Sequence, residues 1–203
     1  RFFRKRGYGL EQVQRISHLH LPFEPARLAQ MRAEAEAKAG PDYRVHTWVT
    51  PTPERWLDGV AAINARMATD LPAGGLELDQ EVWDAERVRH EEERAAKVGR
   101  IRLVAVAEHM PSGTLVGLNG LSMSADATRP VHQGLTLVLT EHRGHRLGML
   151  LKLANIAQLA EVRPEAPFIT TGNAEENRPM LDVNEAVGFV PVVYVGAWKK
   201  TLA

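Results

Sequence analysis

The residues best suited to chemistry gather in one short stretch, Leu135 to Leu150. Leu135, Thr136, Leu137, Val138 and Leu139 form an apolar, partly β-branched run, too short for a helix and long enough for a strand. From Leu147 the spacing changes. Leu147, Leu150, Leu151, Ala154 and Ala157 recur at helical intervals, with Lys152, Asn155, Gln158 and Glu161 on the other side. Between strand and helix lies a polar turn in which Gly144 and Gly148 flank the helix start. A strand that ends at a helix N-terminus presents unpaired N–H groups at the positive end of the helix dipole, a setting for a phosphate or pyrophosphate. Arg143, His145 and Arg146 add donors for phosphate oxygens. An ordinary strand–turn–helix with solvated arginines fits the same letters, since short glycine motifs are weak signals.

The rest of the chain must position that turn. With 203 residues, 44% hydrophobic content and a formal net charge of zero, it reads as one domain with an appendage. The balanced charge gives no argument for nucleic acid or an anionic membrane. There is no cysteine, which excludes a disulfide scaffold, a cysteine nucleophile and thiolate metal sites. No apolar run approaches the ~20 residues of a membrane span. Arg1 to Arg6 have no apolar signal core behind them, so the cytoplasm is the expected compartment. Leu10 to Leu21 reads as a strand or strand pair, and Pro25 to Lys38 as a solvated helix or linker closed by Gly40-Pro41.

Tyr43 to Thr50 alternates as a strand does. Thr52 or Pro53 opens a helix with Trp56, Val60, Ile63 and Met67 on one side. A loop from Asp70 to Leu78 precedes a second helix, with Asp79 as N-cap, Val82, Trp83 and Val88 as its buried side and Glu91, Glu92 and Glu93 on its solvated face. Ile101–Ala107 and Thr114–Met123 pair as a hairpin, and 125–133 is a loop before the central strand. Pro167–Thr171 is a strand, Asn177–Val187 a helix, and Val190–Trp198 the closing strand or strands.

Arg143-Gly144-His145-Arg146-Leu147-Gly148 resembles the acyl-coenzyme A pyrophosphate loop of the GNAT N-acetyltransferases, Q/R-x-x-G-x-G/A. Arg143 matches the first position and Gly148 the last, while Arg146 stands where the middle glycine is usual. Thr171 to Phe189 resembles the end of the fifth strand and the following helix in that family. The element order from Tyr43 is also that of the family: strand, two helices, three strands, helix, strand, helix, strand. The resemblance implies an α/β (α+β) fold with a mostly antiparallel mixed sheet, helices on both faces, and a splay between the fourth and fifth strands. Residues 43–203 would form the acetyltransferase domain, and 25–42 a helix or linker. Arg1 to Tyr8 and the extended segment behind them resemble how such a domain ends. Residues 1–24 are thus either the tail of a preceding copy, as in tandem members of mycothiol-synthase-like architecture, or an N-terminal extension. The closing strand is a candidate dimer edge; so is the N-terminal segment, unpaired if its own domain is missing.

The resemblance also assigns roles. Acetyl-coenzyme A is the implied cosubstrate, and a small-molecule amine the acceptor. Leu137, Val138 and Leu139 offer main-chain hydrogen bonds to the acyl-pantetheine. Arg143, Gly144, His145, Arg146, Leu147, Gly148 and Met149 form the pyrophosphate site. Asn173 and Asn177 reach the pantetheine amides, and Met180 lines the channel; helix capping and core packing are the plainer readings of these three. Where many members carry a tyrosine that protonates the leaving thiolate, this chain has Asn184, which can donate a hydrogen bond but not give up a proton at neutral pH. Tyr194 is the nearest phenol in sequence. Glu108, His109 and Glu141 are candidates for the base that deprotonates the amine, and each also reads as a solvated turn residue. Acidic residues from Asp70 to Glu93, among them Glu77, Asp79, Glu81 and Asp84, suit a cationic amine. His18 and His20, and His142 and His145, lack further ligands, so no metal is implied. Three functions stay open: an active N-acetyltransferase, a catalytically weak acetyl-coenzyme A-binding domain, and a plain interaction module.

Overall fold

In the computed structural model, which describes residues 2–67 and 81–201, the chain begins with a short helix α1 (Phe2–Lys5), strand β1 (Gly9–His20) and helix α2 (Pro25–Ala39). Then come β2 (Tyr43–Val49), a turn of 3-10 helix, α3 (Leu57–Ala65), α4 (Ala85–Lys97), β3 (Ile101–His109), β4 (Thr114–Met123) and β5 (Val131–Val138). The chain continues through α5 (Leu147–Val162), β6 (Phe168–Ala174), α6 (Arg178–Val187) and β7 (Val190–Lys199). Local chemistry sets the helix ends. Glu24 accepts from the Ala26 and Arg27 amides at the start of α2, Asp84 from Arg87 at α4, and Asn177 from Met180 at α6. Gly188 stops α6 at φ 114°, a conformation costly for any residue with a Cβ.

The seven strands form one sheet in the order β2-β3-β4-β5-β6-β1-β7. All neighbours run antiparallel except β5 and β6, which are parallel and pair only at Val131↔Ile169 and His132↔Thr170. Beyond these two pairs β5 keeps to β4 and leaves β6. The β4–β5 register shifts between Asn119 and Leu121, a bulge that bends β5 where the two strands part. Alternation along β3 sorts the two faces. Val104 and Val106 pack with Leu57, Val60, Ile63 and Val88 of α3 and α4. Ala105 and Ala107 face the other way, and their small side chains let Leu147, Leu150, Leu151 and Ala154 of α5 come close.

Several expectations need correction. The strand predicted from Leu135 begins at Val131, because cross-strand bonds to β4 and β6 recruit the preceding polar residues. The second helix starts at Ala85 with Asp84 as its cap. Val82 precedes it and is 80% exposed rather than buried, and Asp79 lies outside the described residues. Glu92 is not on a free solvated face; its carboxylate accepts from the Thr52 amide (2.8 Å) and hydroxyl (2.6 Å). The N-terminal segment presents no open edge. Strand β1 is hydrogen-bonded to β6 on one side and β7 on the other, leaving β7 as the free edge.

Helix α5 departs furthest from its pattern. Lys152 and Asn155, on the side opposite its apolar stripe, are buried, because the sheet covers one side of the helix and α2 and α6 pack against others. Asn155 is accommodated by donating to the Asn119 carbonyl (2.9 Å) and side-chain oxygen (2.7 Å). Lys152 is not. Its Nζ has no hydrogen-bond partner among the described residues and sits 5.9 Å from the Phe189 ring centroid. Burial pushes its pKa down to about 7. The unfolded chain binds this proton up to about pH 10.5, so between pH 7 and 10.5 the unfolded state holds more protons and stability rises with pH. Lys152→Met is expected to raise stability at pH 7 by about 2 kcal/mol or more. It should also flatten the rise of the urea midpoint between pH 7 and 10, as followed by circular dichroism.

Candidate functional site

The parting of β5 from β6 opens a cleft of about 700 Å³. One wall is β5, with Thr136, Leu137 and Val138; another is α6, with Asn177 and Met180. The turn after β5 and the start of α5 close one end with His142, Arg143, Gly144, Arg146, Leu147, Gly148 and Met149. Sequence reasoning missed the remaining wall, Met31 and Glu34 of α2. Past His132, β5 has no β6 partner among the described pairs, so main-chain groups on that edge face the cleft rather than a neighbouring strand.

The turn leaves main-chain amides open at the helix start. The first amide to close a helical bond is that of Leu150, onto the Arg146 carbonyl at 3.0 Å, so the amides before it are those a helix leaves without an intrahelical acceptor. Gly144 has φ 88° and Arg146 has φ 54°; among the described residues Arg146 alone combines a side chain with positive φ. That accounts for the motif's usual glycine, from which Arg146 departs. The middle position is left-handed, which favours glycine, and an arginine there costs about 1–2 kcal/mol. Arg143 Nε donates to the Val138 carbonyl at 3.1 Å and ties the turn to the end of β5.

A ring cluster braces the turn. Tyr43 Oη lies 3.0 Å from His142 Nδ1, the His109 and His142 ring centroids are 4.8 Å apart, and His145 is 5.0 Å from Tyr43. Burial, then His109, lowers the His142 pKa, with Glu141 opposing and His145 adding to the fall. Burial, then Asp42, raises that of Tyr43. Both are therefore neutral at pH 7. Beneath β5, Asn119 donates to Thr136 Oγ1 at 2.7 Å and receives Asn155 from α5, fixing the strand to the helix that carries the turn.

The other predicted residues fall elsewhere. Leu139 and His145 belong to the turn without lining the cleft. Asn184 is 1% exposed and donates to Asn173 Oδ1 at 2.7 Å, so this pair joins α6 to β6. Tyr194 is on β7, separated from β6 by β1. Glu141 is exposed, 3.8 Å from Arg66. Glu108 lies 2.8 Å from His46 Nε2, and the ring of Trp56, from the α3 side, stands 5.1 Å from that histidine. Of the acidic residues, Asp70, Glu77 and Asp79 lie outside the described residues. Glu81 accepts from the Arg87 guanidinium (2.6 Å) and the Trp83 indole (3.1 Å).

This geometry has counterparts among solved structures. A tandem GNAT protein from the clavulanic acid biosynthesis pathway superimposes with a TM-score of 0.70 and 28% identity over 95% of this chain and 54% of its own. The chain has the GNAT fold. A GCN5-related N-acetyltransferase from Sphaerobacter thermophilus matches 98% of this chain and 54% of its own length, with TM-score 0.61 and 15% identity. AAC(6')-Iy, in complex with the bisubstrate analogue CoA-S-monomethyl-acetylneamine, matches 77% of this chain and 99% of its own, with TM-score 0.51 and 14% identity. The two weaker likenesses speak for the fold alone. The chain spans about half the length of the tandem protein. No family model and no curated protein matches its sequence. No helix among its described residues is long and apolar enough to cross a membrane.

The left-handed arginine yields a direct test. Arg146→Gly removes the backbone strain, partly offset by glycine's greater freedom when unfolded, so a net gain of about 0.5–1 kcal/mol is expected in urea denaturation.

Proposed function

We propose that this chain moves an acetyl group from acetyl-coenzyme A directly to an amine of a small molecule, both substrates being bound together. The observation that carries this reading is the cleft between the parted β5 and β6, closed at one end by the left-handed turn 143–148. The residues present fit coenzyme A in kind. An open strand edge suits the amides of pantetheine, Asn177 adds a polar side chain on the facing wall, and the helix start with Arg143 and Arg146 suits a pyrophosphate. When bound, the coenzyme supplies the acetyl group as a thioester. The protein's part is to hold it, exclude water and accept the amine's proton. Glu108 is our choice for that base, acting through intervening water because it lies outside the cleft lining: its side chain is 16% exposed and partnered by His46, whereas Glu141 is exposed beside Arg66.

A second reading, binding without efficient turnover, is favoured by one observation. Asn184 occupies the place where a phenol is usual, and it is buried against Asn173. Calorimetry and thiol release separate the readings. The wild-type chain is expected to bind acetyl-coenzyme A at micromolar Kd. Arg143→Ala should weaken binding about 10- to 100-fold, and Gly148→Glu, which puts a carboxylate in the anion turn, should abolish it with the fold intact. With a panel of small amines, thiol release that falls about 100-fold or more in Glu108→Gln supports the enzyme. Tight binding with no release from any amine supports the second reading.

We also propose that a second unit of this fold sits against β7. Val190, Val192, Val193, Tyr194 and Val195 are each about half exposed along the free edge, an apolar strand that soluble proteins seldom leave bare. The tandem organisation of the structural neighbour supports the choice of partner. Sedimentation velocity of this chain should show a dimer at micromolar concentration, lost in Val193→Lys; a monomer at all concentrations would count against it.

A further inference from the structure

Helix α2 precedes the first strand that the family resemblance accounts for, yet it is firmly part of the cleft. Ala35 and Ala39 are buried against α5 and the sheet, and alanines at that contact let the helix axes approach closely. At its other end the Arg27 guanidinium donates to the Ala186 and Val187 carbonyls at 3.3 and 3.4 Å, the last carbonyls of α6. So α2 is fastened to both helices that flank the cleft. Between those two fastenings, Met31 and Glu34, one turn apart, face into it.

Their position relative to the phosphate turn gives them a role. Glu34 Oε2 is 4.0 Å from Arg146 Nη1, and Met31 packs against the same apolar cluster as Met149 in the first turn of α5. A long donor with its acyl end in the β5–β6 gap and its phosphates at residues 143–148 must continue past Arg146, and the wall there is α2. We propose that α2 is the nucleoside wall of the coenzyme site. Met31 supplies apolar contact to the part of the donor beyond the pyrophosphate. Glu34 serves as the counter-charge of Arg146, which an anionic ligand has to displace.

This proposal rests on the coenzyme A reading above. It assigns binding and charge selection to a segment that reads from sequence as a solvated linker. It also makes the donor a free nucleotide thioester rather than a pantetheine lacking the nucleoside, since α2 would then have nothing to hold.

The test compares two ligands by calorimetry, acetyl-coenzyme A and acetyl-4′-phosphopantetheine, which keeps the thioester, pantetheine and one phosphate but has no nucleoside. Met31→Ala is expected to weaken acetyl-coenzyme A about fivefold while changing acetyl-4′-phosphopantetheine less than about twofold. Glu34→Gln is expected to tighten acetyl-coenzyme A about threefold at low salt, with the gain shrinking in 0.5 M salt as roughly 4 Å screening sets in. Equal losses on both ligands in Met31→Ala would mean that α2 only props α5 and α6, and would overturn the proposal. So would unchanged affinities in both variants, or weaker binding in Glu34→Gln. Wild-type binding of neither ligand would overturn the coenzyme reading and this proposal with it, a result distinct from any of these.

Discussion

The constraint on which the structure depends is the separation of β5 from β6 after only two residue pairs. A parallel pair normally continues for the length of its strands, because abandoned main-chain groups lose their partners. Here the loss is built in. The bulge opposite Gly120 turns β5 aside, β4 keeps hold of its other edge, and Asn119, Thr136 and Asn155 pin the bent strand to α5 from below. What would be a defect in a closed sheet becomes an opening with polar backbone along one side and a helix start at its end.

Helix α5 has to satisfy two masters. Its first turn leaves amides without an intrahelical acceptor, while the remainder is enclosed by the sheet, α2 and α6. Enclosure forces polar residues into the interior. The Asn155 amide nitrogen is matched to partners there, but Lys152 Nζ has none among the described residues, and burial lowers its pKa to about 7. The strained Arg146 at the mouth of the same helix is a second local conflict. Such conflicts concentrate where binding rather than packing dictates the residue.

Much of this was legible in the sequence because it is written locally. The change of period at Leu147, the glycines of the turn and the hairpin around Pro111-Ser112-Gly113 each announce themselves within a few residues. The turn 143–148 and most of β5 were therefore found, as was the order of elements. Four things were not legible. Alanine-rich α2 carries the charge pattern of a solvated helix, and only tertiary packing shows that Ala35 and Ala39 bury it. The position of β1 between β6 and β7 depends on partners at the opposite end of the chain. The left-handed backbone at Arg146 leaves no signature, since the residue type argues against it. His46 beside Glu108 likewise requires the β2–β3 register before it can be seen.

The insertion of β1 has a consequence for how the molecule is made. This strand precedes nearly everything else in the chain, and its neighbours β6 and β7 follow nearly everything else, so Gly9 meets Lys199 across almost the whole sequence. Pairing over such distances pays most of the loop-closure entropy before any ladder forms, and slows assembly. During synthesis, β2 through β5 can assemble with α3, α4 and α5 before the partners of β1 in this sheet, β6 and β7, are made. Strand β6, from which β5 parts, gains its second neighbour only when β1 pairs with it. The cleft beside that parting is therefore among the last features of the fold to exist.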